Sequence, residues 1–225
     1  MESITANPTI VDQVYRAILD AICDGTLSPG ERLTQEGIAK KLDVSRQPVN
    51  QALMLLRKQR FVIEAGRRGL MVAPLDRDFV RWIYELRLGI EPIAAGLAAR
   101  LASASEIERG NALVAAGRAA LREGALAALI GADMAFHSWI YAASGNRLFV
   151  DTMEGLWHHL RRAMREVLLK RDYRKAVWHE HEQLWRAIAA HDAEAAAALV
   201  SAHLRNAAVT VEVSVPATGS TALPG

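Results

Sequence analysis

Cysteine is almost absent. The 225-residue chain contains only Cys23, so it holds no intrachain disulfide, which suits a reducing compartment. Aromatic residues are scarce at 6%, while alanine is abundant; that balance favours helices over packed sheets. Long apolar runs are missing too. The alanine-rich stretch 195–202 is short and amphipathic, and no run approaches the length of a membrane span. No charged-then-apolar leader opens the sequence. The expectation is a soluble cytoplasmic protein with no membrane partner. Net charge is small as well, at +2. What is plentiful is hydrophobic residue, 51% of the chain, enough to give two small domains a core each.

The charge is unevenly placed. Between Lys40 and Pro74 stand Lys40, Lys41, Arg46, Arg57, Lys58, Arg60, Arg67 and Arg68 against only Asp43 and Glu64. From Leu75 onward, 17 basic residues balance 17 acidic ones. A local basic excess on an otherwise neutral chain is the footprint of a nucleic-acid site. A solvated basic face is the plainer reading until the local fold is known.

That fold is legible. Ile10, Val14, Ile18 and Ile22 recur every four residues beside Val11 and Leu19, an amphipathic helix that Gly25 ends. After the turn at Leu27-Ser28-Pro29-Gly30, Thr34 caps a short helix through Leu42. Asp43-Val44 makes a tight connection, and Ser45 caps a third helix to about Gln59, with Pro48 tolerated in its first turn. Two short β-type runs, Phe61 to Glu64 and Leu70 to Ala73, bracket Ala65-Gly66-Arg67-Arg68-Gly69. Three helices, a tight turn and a basic hairpin make a winged helix-turn-helix over residues 1–74.

The strings Leu27-Ser28-Pro29-Gly30-Glu31-Arg32-Leu33, Ile38-Ala39 and Val44-Ser45-Arg46-Gln47-Pro48-Val49, with the glycine-bracketed wing, resemble the GntR family of bacterial repressors. In a fold of this kind the third helix enters the major groove. Arg46, Gln47 and Asn50 would then face base edges or phosphates, and Arg67 and Arg68 a narrow minor groove. The plainer reading of Arg46 is a surface salt bridge. Two departures stand out: Asn50-Gln51 replaces the family's Arg-Glu, and Arg60 replaces its glycine after the recognition helix.

Pro74-Leu75-Asp76 marks a boundary, and periodicity predicts six helices beyond it: 77–102, 103–124, 126–143, 147–170, 174–190 and 192–209. They form an all-α antiparallel bundle over 75–213, followed by a disordered tail from 214 to 225. The fold class is therefore mostly α, in two domains.

Of the histidines here, His158, His159, His179 and His191 lie off the apolar stripes or at turns and read as solvated. Asp133 and His137 stack one turn apart on the inward face of their helix. His181 lines up with Val177, Leu184 and Ile188, and His203 with Leu199, Val200 and Ala207. Each alone reads as a satisfied core polar group. Together, one carboxylate and three imidazoles suit a shared divalent metal such as Zn, Ni or Mn.

Asp133-Met134-Ala135-Phe136-His137, Ala143-Ser144-Gly145-Asn146, Glu180-His181 and Ala202-His203-Leu204 resemble the FCD sensory domain of the FadR-type GntR branch, in its shorter VanR-like form. The resemblance implies that Asp133, His137, His181 and His203 bind a metal and that a small organic acid binds beside it. Arg87, on an inward stripe, is the candidate for contacting that acid; its alternative is an ion pair with Glu91. The implied protein is a homodimeric, ligand-responsive repressor on double-stranded operator DNA, and not an enzyme. The rivals are a purely structural metal and a metal-dependent hydrolase.

Overall fold

The structure, a computed structural model, describes residues 8–66, 69–168 and 171–215, the side chains of 171 and 172 excepted. The chain divides into two compact units at Leu75/Asp76.

In the first unit α1 spans Ile10–Asp24 and is opened by a reciprocal capping box, Thr9 with Asp12, which sequence reading overlooked. Gly25 closes it at φ 81, a left-handed conformation that glycine adopts at no steric cost. A two-residue strand, β1 (Arg32–Leu33), precedes α2 (Gln35–Leu42), which Thr34 caps. Asp43 turns the chain at φ 51 into α3 (Arg46–Lys58). Ser45 precedes α3 in extended conformation but makes no side-chain cap bond, contrary to expectation. β2 (Val62–Glu64) and β3 (Leu70–Val72) pair antiparallel, and β1 joins the other edge of β3, giving the order β1-β3-β2. The core lies between α1, α3 and the sheet: Ile18, Leu19, Val49, Leu53, Leu56 and Phe61 are buried together. Arg60 takes φ 64, a left-handed conformation that glycine would adopt at lower cost.

Six helices are described in the second unit: α4 (Arg77–Leu101), α5 (Ala104–Glu123), α6 (Leu126–Ala143), α7 (Arg147–Val167), α8 (Arg171–Ala189) and α9 (Ala193–Ser214). Asp76, Ser103, Asn146 and Asp192 cap α4, α5, α7 and α9 by accepting from backbone amides. Packing is closest between α4 and α9 and between α5 and α6. Two glycines on α5 let tryptophans press in: a Cβ on Gly110 would fall 2.5 Å from Trp139, and one on Gly117 1.1 Å from Trp178.

Three expectations change. Helix α7 stops at Val167 and α8 starts at Arg171, while α9 runs past Val209 to Ser214, with Val215 buried; only residues 216–225 of the expected tail fall outside the described chain. Helix α6 is apolar over 18 residues, matching a membrane span by length and composition. It is nevertheless the bundle's core helix, with Phe136, His137 and Ile140 fully buried. His159 is buried, not solvated, edge-on to Phe79 at 4.8 Å between ring centroids. His191 is exposed but bonds the Ala99 carbonyl through Nδ1 at 2.7 Å.

Candidate metal site and DNA-reading helix

On α3 the buried positions are Val49, Ala52, Leu53 and Leu56. Helical spacing therefore turns Arg46, Gln47, Asn50, Gln51 and Met54 outward, and all five are exposed. Arg46 and Gln47 sit in the first turn, where backbone amides lack intrahelical partners and favour phosphate. Asn50 is not wholly free: its Oδ1 accepts from Gln35 Nε2 at 2.9 Å, which ties the reading face to α2. Arg67 and Arg68 lie outside the described residues, between β2 and β3.

In the bundle, α6 supplies Asp133 and His137, α8 supplies His181, and α9 supplies His203. All four are buried, and one ligand atom from each of the three histidines falls within 4.8 Å of the others. His137 Nε2 lies 3.3 Å from His181 Nε2, and Asp133 Oδ1 3.4 Å from the same nitrogen. Two nitrogens bound at about 2.05 Å to one tetrahedral ion stand roughly 3.3 Å apart, so the spacing fits a shared cation.

Carboxylates behind the ring support that fit. His137 Nδ1 bonds Glu91 Oε2 at 2.9 Å, and His203 Nδ1 bonds Glu180 Oε2 at 2.8 Å. An ionised carboxylate only accepts, so each Nδ1 carries the hydrogen and each Nε2 presents a lone pair. His181 is the exception: its Nδ1 is buried with no hydrogen-bond partner among the described residues. Burial drives the His181 pKa well below the ordinary range, with His203 and His137 adding to it. Burial also lowers His137, against the pull of Glu91. Burial thus favours the neutral ring at His181 and His137, the state in which imidazole binds metal.

Sequence reading named Arg87 but treated Glu91 only as its alternative partner, and missed Tyr141. Glu91 is fully buried. Its Oε1 accepts from Arg87 Nε at 2.5 Å and from the Tyr141 hydroxyl at 2.6 Å. Burial alone would raise its pKa, but Arg87 and His137 hold it far below the carboxylate range. The Arg87 guanidinium lies 5.2 Å from the ring centroids of both Tyr84 and Trp157, a cation–π cage. The only hint in sequence was two opposite charges four apart on an apolar stripe.

Beside the cluster opens a narrow cavity of about 20 Å³. Tyr84, Arg87, Asp133, Tyr173 and His203 form its polar side, and Met164, Val167, Val177 and Val211 part of its apolar side. Burial pushes the Tyr84 hydroxyl up to about 12, so it stays a hydrogen-bond donor at neutral pH.

Comparison with known proteins is consistent over most of the chain. Residues 10–72 match the gntR family of bacterial regulatory proteins, and residues 82–206 match the FCD domain. The HTH-type transcriptional regulator YdhC of Bacillus subtilis (strain 168) is 26% identical over 196 residues, 86% of this chain and 87% of that one. LutR of the same organism, also an HTH-type transcriptional regulator, is 27% identical, covering 82% and 93%. The HTH-type transcriptional repressor RspR of Escherichia coli (strain K12) is 27% identical over 67% of each. The fold is shared with E. coli McbR/YncC (TM-score 0.77, 20% identity, 90% of this chain and 97% of that one). A GntR transcriptional regulator from Rhodococcus sp. RHA1 shares it too (TM-score 0.76, 24% identity, 89% and 96%). With a gntR-type winged helix-turn-helix followed by an FCD domain that spans more than half its length, this chain belongs to the GntR family of bacterial regulatory proteins and is a DNA-binding transcriptional regulator.

Proposed function

We propose that this regulator is a cytoplasmic, homodimeric repressor whose helical domain holds a divalent metal on Asp133, His137, His181 and His203 and senses a small organic acid beside it. The observation that carries the reading is the trio of buried histidines drawn within reach of one ion, two of them held by Glu91 and Glu180, beside a cavity lined by Arg87 and two tyrosines. Bound there, the ion supplies positive charge and open coordination positions for a carboxylate. A six-coordinate ion such as Ni²⁺ or Mn²⁺ leaves two positions after four protein ligands. Zn²⁺ at four-coordination leaves none, the arrangement of a purely structural site. The Tyr84 hydroxyl and Arg87 are suited to meet the acid's remaining oxygens.

Two chains would present two α3 helices to a pseudo-palindromic operator, with Arg46, Gln47 and Asn50 at bases and phosphates and Arg67 and Arg68 as wing contacts. RspR, a relative, is named a repressor, and the same sign is expected here. Effector binding lowers operator affinity only if the effector prefers the arrangement that fits DNA poorly. A hydrolase would need a free acid or base at the metal, and the two additional carboxylates beside it, Glu91 and Glu180, already take three and two donors.

The test is fluorescence anisotropy on DNA from upstream of the chain's own gene. Binding should be sequence-selective, fall steeply with salt and weaken in Arg46→Ala. Metal plus a small carboxylate should release the DNA. Asp133→Ala and His137→Ala should abolish release while the fold persists. Loss of folding in those variants instead supports a structural metal. Equal operator affinity with and without every acid that occupies the cavity overturns the sensor reading.

A further inference from the structure

Helix α4 buries Ile83, Arg87, Glu91, Ala94 and Ala98 along one side. At about 100° per residue, the diametrically opposite side carries Trp82, Leu86, Gly89 and Ile93. A helix at the surface of a bundle normally turns charge to that side. Here Trp82 is 49% exposed, Leu86 38% and Ile93 57%, and they form one stripe rather than scattered residues. We infer that this stripe is the contact with a second copy of this chain, the two α4 helices crossing antiparallel on a two-fold axis at Gly89. The inference rests on the two-fold reading proposed above and names its surface.

Three observations favour a second copy over another occupant. Gly89 has no positive φ and a Cβ there would meet nothing within 4 Å, as at Gly131 and Gly155, but of these three it alone stands in the apolar stripe. Mid-helix glycine weakens a helix but lets two backbones approach closely. An antiparallel two-fold at Gly89 also sets residues equally distant on either side of it opposite one another. Trp82 then faces Gly96, and Asp78 faces Arg100, so opposite charges meet. Both pairs lie on the exposed side of α4 by helical phase, although Gly96 also packs toward Ala193. Finally, Arg100 makes no ion pair among the described residues, while Asp78 bonds only Arg81 of its own helix, at 3.2 Å. Asp78 and Arg100 each stand about 16 Å along the helix from Gly89, so the pairs close only at a shallow crossing, near the roughly 20° class.

The experiment is sedimentation equilibrium of the full chain, with circular dichroism as the check on folding. The wild type should be dimeric, and Ile93→Glu, which the same register sets opposite Glu85, should weaken the dimer by about 30-fold or more, as expected for a central contact. Asp78→Arg alone and Arg100→Asp alone should each weaken it, because like charges would face across the axis. The double variant Asp78→Arg/Arg100→Asp should recover most of the wild-type affinity. A dimer untouched by Ile93→Glu overturns this surface while leaving the repressor reading standing. Charge reversals that do not rescue each other overturn the Gly89 axis. A monomeric wild type overturns the inference and the two-fold reading together.

Discussion

Replacing Glu91 by glutamine tests the link between the buried carboxylate and the metal site. The substitution keeps size and shape but makes one of the two oxygens an NH₂ group. Arg87 Nε and the Tyr141 hydroxyl both donate to Oε1, so the glutamine carbonyl is pinned to that side and its NH₂ faces His137 Nδ1. The ring must then accept at Nδ1 and carry its hydrogen on Nε2, the nitrogen aimed at the cluster. Orienting partners of this kind are worth roughly 10–100-fold in metal affinity, or about 1.4–2.7 kcal/mol. The change also strips the charge partner from Arg87, and breaking a buried pair from one side costs about 3–5 kcal/mol of stability. The double variant Arg87→Met/Glu91→Gln removes the stranded charge and should regain much of that stability without regaining metal affinity. Competition with a chromophoric chelator measures the affinity, and ¹⁵N chemical shifts of the imidazole report the tautomer. Metal affinity within threefold of wild type in Glu91→Gln would refute the tautomer argument.

Chelated protein should lose stability as pH falls from 7 to 5.5. His181 and His137 are held below their unfolded value of 6.5, so the unfolded chain takes up protons that the native one does not. His181, the more strongly shifted, carries most of the loss, with His137 adding in the same direction; urea melts at both pH values that coincide would contradict this. Gly117→Ala drives a methyl into Trp178, whose ring lies 4.6 Å from His181, and should cost about 3 kcal/mol, the upper part of the overpacking range. Gly131→Ala, where the added carbon meets nothing, should be neutral or stabilising by the same urea melts. Arg60→Gly relieves a positive φ and should leave the chain as stable or more so, by up to about 1 kcal/mol; a thermal melt that drops by several degrees would show that the Arg60 side chain matters more than its backbone.

The helices were legible because their apolar period, caps and glycine stops are local properties of the chain. The strand β1 was not: two residues, Arg32 and Leu33, carry no period, and only pairing with Met71 and Leu70 makes them a strand. The buried cluster could be read because Asp133, His137, His181 and His203 each occupy an inward phase on their own helix. What those side chains face could not. Glu91 meets His137 and Tyr141 across about 50 residues of sequence, and His159 is buried because Phe79 of another helix covers it. Both depend on how helices pack, which no window along the chain encodes.

The convergence of Asp133, His137, His181 and His203 has a further consequence for how the chain holds together. These residues span about 70 positions on α6, α8 and α9, and a common ion would tie the three helices into one closed loop. A cross-link over that distance restricts the unfolded chain much as a disulfide would, on the scale of several kcal/mol, in a protein whose lone cysteine cannot make one. Unlike a disulfide, such a clasp opens with protons or chelators and closes again without an oxidant. The durability of the sensory domain would then rise and fall with the cell's supply of metal.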